Sequence, residues 1–106
     1  MTDFIQVFIT ASSREEGQRI VDALVKSRLI ACGQVAGPIQ STYWWQGSIE
    51  SSTEWLCLAK SREDKFAGIV SLVKELHSYQ VPEIIAMPLA GVSDDYAQWM
   101  REELRN

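Results

Sequence analysis

Residues 77–88, His-Ser-Tyr-Gln-Val-Pro-Glu-Ile-Ile-Ala-Met-Pro, lead from a predicted helix end into a predicted strand, and this connection decides the fold. Val81 is expected to be extended, because the ring of Pro82 disfavours helical backbone in the residue before it. The apolar run that follows is typical of a short buried strand, which we predict over residues 83–89. His77, Tyr79 and Glu83 supply an imidazole, a phenol and a carboxylate close to that strand. Loops on a rigid scaffold often carry sites, so these three residues are candidates for function, although a helix end and a stiff turn facing water would use the same residues.

The rest of the chain alternates between strand-like and helix-like segments. The first strand is apolar on both faces, and residues 12–16 contain two overlapping capping boxes for the helix that follows. Gly37-Pro38 predicts a bulge or bend within the second strand, and Gln46-Gly47 predicts a turn into the third. In order, the predicted elements are a strand at 4–10, a helix from 13 to about 28, a bent strand at 29–45, a strand at 48–60, a helix capped by Ser61 and ending at 77, a strand at 83–89 and a last helix from 93.

This order predicts an α+β fold of the ferredoxin-like kind. Two βαβ-like halves form a βαββαβ sandwich, with an extended hairpin between the second and third strands and an extra C-terminal helix. In such a fold the two long helices cover one face of the sheet. The other face then needs a cover as well, which we expect to be the terminal helix, a partner subunit or a ligand.

Composition narrows the class of protein. The 106 residues carry a formal net charge of −4, and we predict a single domain, residues 1–106. Neither nucleic acid nor an anionic membrane surface is an expected partner, because both attract basic proteins. The chain shows no signal peptide and no segment long enough to cross a bilayer, so we predict a cytoplasmic protein. Its two cysteines do not form a disulfide framework, and its four tryptophans favour an oligomer, because large aromatic residues are enriched at interfaces.

Two classes of function remain open from the residues alone. Cys32, His77 and Glu83 offer thiolate, imidazole and carboxylate donors, and a set with sulfur and nitrogen favours copper or zinc. Alternatively, His77 with Tyr79, Glu83 and Lys60 can support acid–base chemistry or bind a small anionic metabolite. We expect no enzymatic activity, because the sequence contains no Ser-His-Asp order, phosphate loop or paired-carboxylate signature.

Several stretches together resemble the CutA divalent-cation tolerance family. They are Ala31-Cys32, the hairpin sequence Ser-Thr-Tyr-Trp-Trp-Gln-Gly-Ser-Ile-Glu at 41–50, Lys60 after an apolar strand, and the stretch at 77–88. The resemblance implies a homotrimer of ferredoxin-like subunits whose hairpins reach neighbouring subunits. This trimer is similar to that of the PII signalling proteins, which implies a regulatory role. The resemblance also implies binding of divalent metal ions, copper above all, with no required cofactor, no established enzymatic activity and no defined protein partner.

The resemblance also implies roles for individual residues. The implied metal ligands are Cys32, His77 and Glu83. The implied ligand-binding residues, in a cleft between subunits, are Tyr43, Trp45, Lys60, Tyr79 and Glu83. Gln80 stands where the family usually has a glutamate, which removes one anionic donor near His77.

Overall fold

The computed structural model describes residues 2–105, so Met1 and Asn106 of the predicted domain lie outside the described residues. The elements are β1 (Phe4–Ala11), α1 (Arg14–Lys26), β2 (Cys32–Trp45), β3 (Ser48–Arg62), α2 (Phe66–Leu76), β4 (Ile84–Pro88) and α3 (Asp94–Glu103). The strands form one antiparallel sheet in the order β2-β3-β1-β4. Element order and sheet order confirm the predicted ferredoxin-like fold. None of these helices is long and apolar enough to cross a membrane.

The main core lies between the sheet and the helices α1 and α2. Ser13 caps helix α1, and its side chain accepts a hydrogen bond from the backbone N–H of Glu16, which is one half of the second predicted capping box. The other half does not form, because the carboxylate of Glu16 accepts from the backbone N–H of Ser12 instead of that of Ser13. Ile20 of α1 and Ile69 of α2 are fully buried in one cluster with Val7 of β1. This side of the sheet is therefore covered within a single chain.

The second helix starts later than predicted, and Ser61 does not cap it. Strand β3 continues through Arg62, because Ser61 pairs with Ile5 of β1 and its hydroxyl donates a hydrogen bond of 2.6 Å to the carbonyl oxygen of Leu29. A single 3-10 turn, Glu63–Lys65, then leads into α2. Ser61 was expected to cap α2, but its hydroxyl instead connects β3 to the segment before β2 by a hydrogen bond.

The opposite face of the sheet is covered at one end only. There α3 packs its buried residues against Phe4 of β1. Farther along, Ile85 and Met87 of β4 remain 51% and 55% exposed. Strand pairing places their side chains on one face with apolar neighbours from β1 and β3. We call this surface the open face; it consists of Phe8, Leu56, Leu58, Ile85 and Met87.

Strands β2 and β3 continue past the end of the sheet as a two-stranded ribbon, residues 39–54, which we call the arm. The last residue of β1 pairs with Trp55, so only β2 and β3 pair beyond that point. A register shift between Ala36 and Ile39 confirms the predicted bulge, and Gln46 and Gly47 form the turn with φ of 50° and 84°. The radius of gyration, 14.3 Å, exceeds the roughly 13 Å of a compact chain of this length because the arm projects. Two-stranded ribbons are marginal in water by themselves, so the arm needs a surface to pack on.

Candidate functional site

A cleft of about 720 Å³ lies where the arm meets the body of the molecule. Its lining comes from Thr10 at the end of β1, residues 41–45 and Glu54 of the arm, and residues 79–81 and 83 after α2. We call it the arm cleft. Four of the five predicted ligand-binding residues, Tyr43, Trp45, Tyr79 and Glu83, line it. Thr10 is paired with Leu56 of the open face, so the arm cleft and the open face are continuous.

A buried carboxylate forms one wall of the arm cleft. Glu54 is only 6% exposed, and its Oε2 accepts a hydrogen bond of 2.8 Å from the hydroxyl of Tyr79. Burial raises the pKa of Tyr79 well above its ordinary value, and the hydrogen bond to Glu54 and the charge of that carboxylate raise it further. Tyr79 therefore remains a neutral phenol that donates to Glu54, and it does not act as a proton acceptor.

Glu83 brings a second carboxylate to the arm cleft. Burial raises the pKa of Glu83, and the negative charge of Glu54 raises it further. Among the described residues that line the cleft there is no lysine, arginine or histidine to neutralise the two acids. A cation in the arm cleft would relieve this repulsion, whereas an anion would increase it.

His77 lies behind the arm cleft, and both of its ring nitrogens are engaged within the protein. Its Nε2 lies 2.6 Å from the carbonyl oxygen of Thr10 and so donates to it, and its Nδ1 accepts a hydrogen bond of 3.0 Å from the backbone N–H of Tyr79. The side chain of His77 is completely buried. No lone pair is left to bind a metal ion in this arrangement. What His77 does here is fix the position of Tyr79 relative to β1.

Glu16 completes the support behind His77. Its Oε1 accepts hydrogen bonds from the backbone N–H and the hydroxyl of Ser12, and its Oε2 accepts one of 2.8 Å from the backbone N–H of Ser78. Burial by itself would raise the pKa of Glu16, but the hydrogen bonds from Ser12 and Ser78 outweigh burial and lower the pKa to about 2. The charged carboxylate of Glu16 thus connects the segment after α2 to the start of α1 by hydrogen bonds.

Cys32 and Lys60 lie elsewhere. They pair with each other across β2 and β3, and Lys60 is six residues from Glu54 along β3, about 20 Å at the usual rise of a strand. Nζ of Lys60 donates a hydrogen bond of 2.7 Å to the side chain of Gln34, and Cys32 is half-buried. The structure therefore separates Lys60 from the four predicted residues of the arm cleft.

The predicted metal ligands Cys32, His77 and Glu83 are not brought together within one chain. Across residues 2–105 no group of three or more histidine, cysteine, aspartate or glutamate side chains is arranged to hold a metal ion. The reasons are local: Cys32 belongs to the far end of the sheet, and the ring of His77 is hydrogen-bonded on both nitrogens. A site that uses these ligands would need donors from more than one chain, and it stays a prediction.

Sequence reasoning missed Glu54 and the role of Glu16. Glu54 had one visible signal, since it is a charged residue directly before the apolar segment Trp55–Ala59. A charge at the edge of a buried strand is seldom free of a partner. Glu16 was recognised only as a capping residue, because its contact with Ser78 joins positions 62 residues apart.

Several relatives of this chain are named CutA. A family model described as CutA1 divalent ion tolerance protein matches residues 5–103. The chloroplastic CutA protein of Arabidopsis thaliana is 35% identical over 102 residues, which cover 96% of this chain and 56% of the plant protein. The divalent-cation tolerance protein CutA of Archaeoglobus fulgidus is 40% identical over 96 residues, which cover 91% of this chain and 93% of that protein. This chain thus spans little more than half of the plant relative.

Solved structures agree with the relatives. The structure described as the periplasmic divalent cation tolerance protein CutA from Archaeoglobus fulgidus matches with a TM-score of 0.93 and 37% identity, over 96% of this chain and 99% of that chain. CutA1 from Oryza sativa matches with a TM-score of 0.94 and 33% identity, over 98% of this chain and 95% of that chain. Fold, sequence and family model lead to the same assignment. The chain belongs to the CutA1 divalent ion tolerance family.

Proposed function

We propose that this protein binds a divalent cation, with copper as the first candidate, in the arm cleft of a homotrimer. The observation that carries the proposal is the pair of carboxylates, Glu54 and Glu83, in a cleft whose described lining has no basic side chain. The names of the relatives, which refer to tolerance of divalent cations, agree with it. A binding role, not catalysis, is what this charge arrangement supports. PII-like assembly would make the role a regulatory one.

The donors of one chain are too few for a tight metal site. Glu54 and Glu83 are hard oxygen donors, and a copper ion prefers that nitrogen or sulfur be present as well. Cys32 supplies a thiol that is half-buried in one chain. We propose that a neighbouring subunit completes the site and that Cys32 and His77 remain candidates for this contribution, His77 only after its present hydrogen bonds are broken. The metal proposal therefore depends on assembly.

Two surfaces support assembly into a trimer. The open face leaves Ile85 and Met87 half exposed, and burying them would remove apolar area from water at about 25 cal/mol per Å². The arm is a two-stranded ribbon with Trp44 72% exposed and Ile49 64% exposed near its turn. Both surfaces gain a partner if arms reach across to neighbouring subunits. A cytoplasmic location is part of the proposal, because both cysteines are free thiols, as in a reducing compartment.

The second function that the residues left open, an anion sensor or enzyme using Lys60, His77 and Glu83, gains no support from the geometry. Lys60 lies outside the arm cleft, and the ring of His77 faces the protein interior. The remaining residue of that set, Glu83, would repel an anion. We therefore propose no anionic ligand for this cleft.

Metal binding is tested by calorimetry on protein freed of metal with a chelator, titrated with copper, zinc and magnesium salts. Glu54→Gln and Glu83→Gln should each lower the affinity for the preferred ion at least about tenfold, since each removes a charged ligand. Glu75→Gln, on an exposed position of α2, is the matched control and should change nothing. Cys32→Ser should lower the affinity for copper more than the affinity for magnesium, because it removes the soft sulfur donor. Unchanged affinity in both cleft variants would refute the proposed site.

Assembly is tested separately by light scattering. We expect about three times the chain mass of 12.0 kDa, and Met87→Lys on the open face should shift the protein to smaller species. Gln18→Lys, on the exposed side of α1, serves as the control for an added charge. A monomeric mass at micromolar concentration would contradict the trimer and, with it, a metal site shared between subunits.

A further inference from the structure

We propose that the arm cleft also binds a small organic cation of the alkylammonium class, held by aromatic side chains and the carboxylate of Glu54. The cleft volume of about 720 Å³ falls in the range of sites for organic ligands. A divalent ion with six waters needs only roughly 200 Å³ at about 30 Å³ for each water. Most of the arm cleft is therefore unused by a metal ion alone.

The lining favours a cation with apolar substituents. Tyr43, Trp44 and Trp45 from the arm and Tyr79 from the segment after α2 all line the cleft. Aromatic rings attract ammonium groups through their electron-rich faces, and the attraction grows when the site excludes water. Their apolar surface also suits the carbon atoms attached to the nitrogen. A hydrated metal ion gains little from such a wall, whereas an alkylammonium ion gains from every part of it.

The acidic residues fix the sign of the ligand charge. Glu54 accepts a hydrogen bond from Tyr79, which fixes the position of its carboxylate group. Glu83 adds a second negative charge, and the described lining contributes no basic side chain that would compete with a ligand. A carboxylate beside several aromatic residues is the arrangement that recognises an organic ammonium ion. Neutral molecules of the same shape would gain the apolar contacts but lose the charge interactions.

This inference does not rest on metal binding, although it uses the same cleft. Both ligands would draw on Glu54, so copper and the organic cation are expected to compete. The two proposals are kept apart by measuring each ligand alone, with the protein freed of metal in the test for the organic cation. Copper binding without organic-cation binding would overturn only this inference, and the reverse result would overturn only the metal proposal.

The probe is tetramethylammonium, and its control is tert-butanol, a neutral molecule of similar shape. Binding to the assembled, metal-free protein is followed by ligand-observed NMR and calorimetry. Tetramethylammonium should bind saturably and at least about tenfold more tightly than tert-butanol. Equal affinity for the two probes, or no saturable binding of tetramethylammonium, would overturn the inference.

Two variants locate the site. Trp45→Leu should lower the affinity for tetramethylammonium about 3- to 30-fold, and Glu54→Gln should lower it at least about tenfold. Trp99→Leu on α3, which lies outside the cleft lining, should leave it unchanged. The side chain of Trp45 is 40% exposed, so its replacement keeps the test valid even if Glu54→Gln fails to fold. If the Trp45 and Trp99 variants bind equally well, the aromatic wall has no role and the inference fails.

Discussion

Replacing Glu16 with glutamine is expected to destabilise the fold by about 3 kcal/mol at neutral pH. The carboxylate is 3% exposed and accepts hydrogen bonds from Ser12 on one oxygen and from the backbone N–H of Ser78 on the other. Glutamine keeps an oxygen for Ser12, but its NH₂ group then faces the N–H of Ser78, so that two donors oppose each other. The variant also loses the negative charge that the three hydrogen bonds from Ser12 and Ser78 stabilise.

The magnitude follows from the acidity of this group. The pKa of Glu16 falls from an ordinary 4.5 to about 2 because the hydrogen bonds outweigh the effect of burial. Each tenfold change in proton affinity corresponds to about 1.4 kcal/mol, so the charged form contributes about 3 kcal/mol to folding. The folded chain binds this proton less tightly than the unfolded chain does. The contribution is therefore complete above pH 4.5 and is lost as the pH falls from there to about 2.

Urea unfolding at fixed chain concentration measures this contribution, because the stability of an oligomer depends on concentration. Wild type and Glu16→Gln should differ by about 3 kcal/mol near pH 7 and by less than about 1 kcal/mol near pH 2. Glu15→Gln, at the exposed neighbouring position, should differ from wild type by less than about 0.5 kcal/mol at both values. A difference that is the same at both pH values would show that the charge of Glu16 does not stabilise the fold, and the reasoning would fail.

Two further outcomes follow from packing. Gly33→Ala should lower the free energy of unfolding in urea by about 1–3 kcal/mol, because an added Cβ would lie 2.6 Å from a methyl group of Val21. Gly91→Ala is the control, since nothing lies within 4 Å of a Cβ added there. Equal stability of the two variants would contradict this expectation. In native protein near pH 8, a thiol reagent should modify Cys32 at most, because Cys57 is fully buried and burial, with the charge of Glu16, raises the pKa of Cys57 to about 11. Both thiols should react after unfolding, and equal rates for both in the native protein would contradict the assignment of Cys57 to the core.

Much of the fold follows from local pattern. The apolar repeat of α1, its serine cap and the turn at Gln46-Gly47 are set by residues close in sequence, and the structure confirms them. The start of α2 does not follow from local pattern, because Ser61 has two uses and the ladder with β1 takes precedence over helix capping. A local pattern cannot show such competition.

The candidate site was predicted only in part. Tyr79 and Glu83 were found because they follow a helix end and precede a strand. Lys60 was placed with them because it matches a recurrent residue of the family's cleft between subunits, but within one chain six strand residues separate it from Glu54 by about 20 Å. His77 was predicted as a ligand, whereas its ring contacts Thr10, which is 67 positions away in sequence. Contacts of this range depend on the packed fold and leave no spacing signal.

The bulge in β2 decides which aromatic side chains of the arm share a face with Glu54. Between the pairs Ala36–Leu56 and Ile39–Glu54, β2 advances by three residues while β3 advances by two. Side chains alternate along a strand, so this one extra residue exchanges odd and even positions for the whole arm. Tyr43 and Trp45 consequently share a face of the ribbon with Glu54, whereas Trp44, which also lines the cleft, shares the opposite face with Ile49. Deleting a single residue at the bulge would move Tyr43 and Trp45 to the face away from Glu54 and Trp44 to the face of Glu54, although no residue at the bulge lines the cleft.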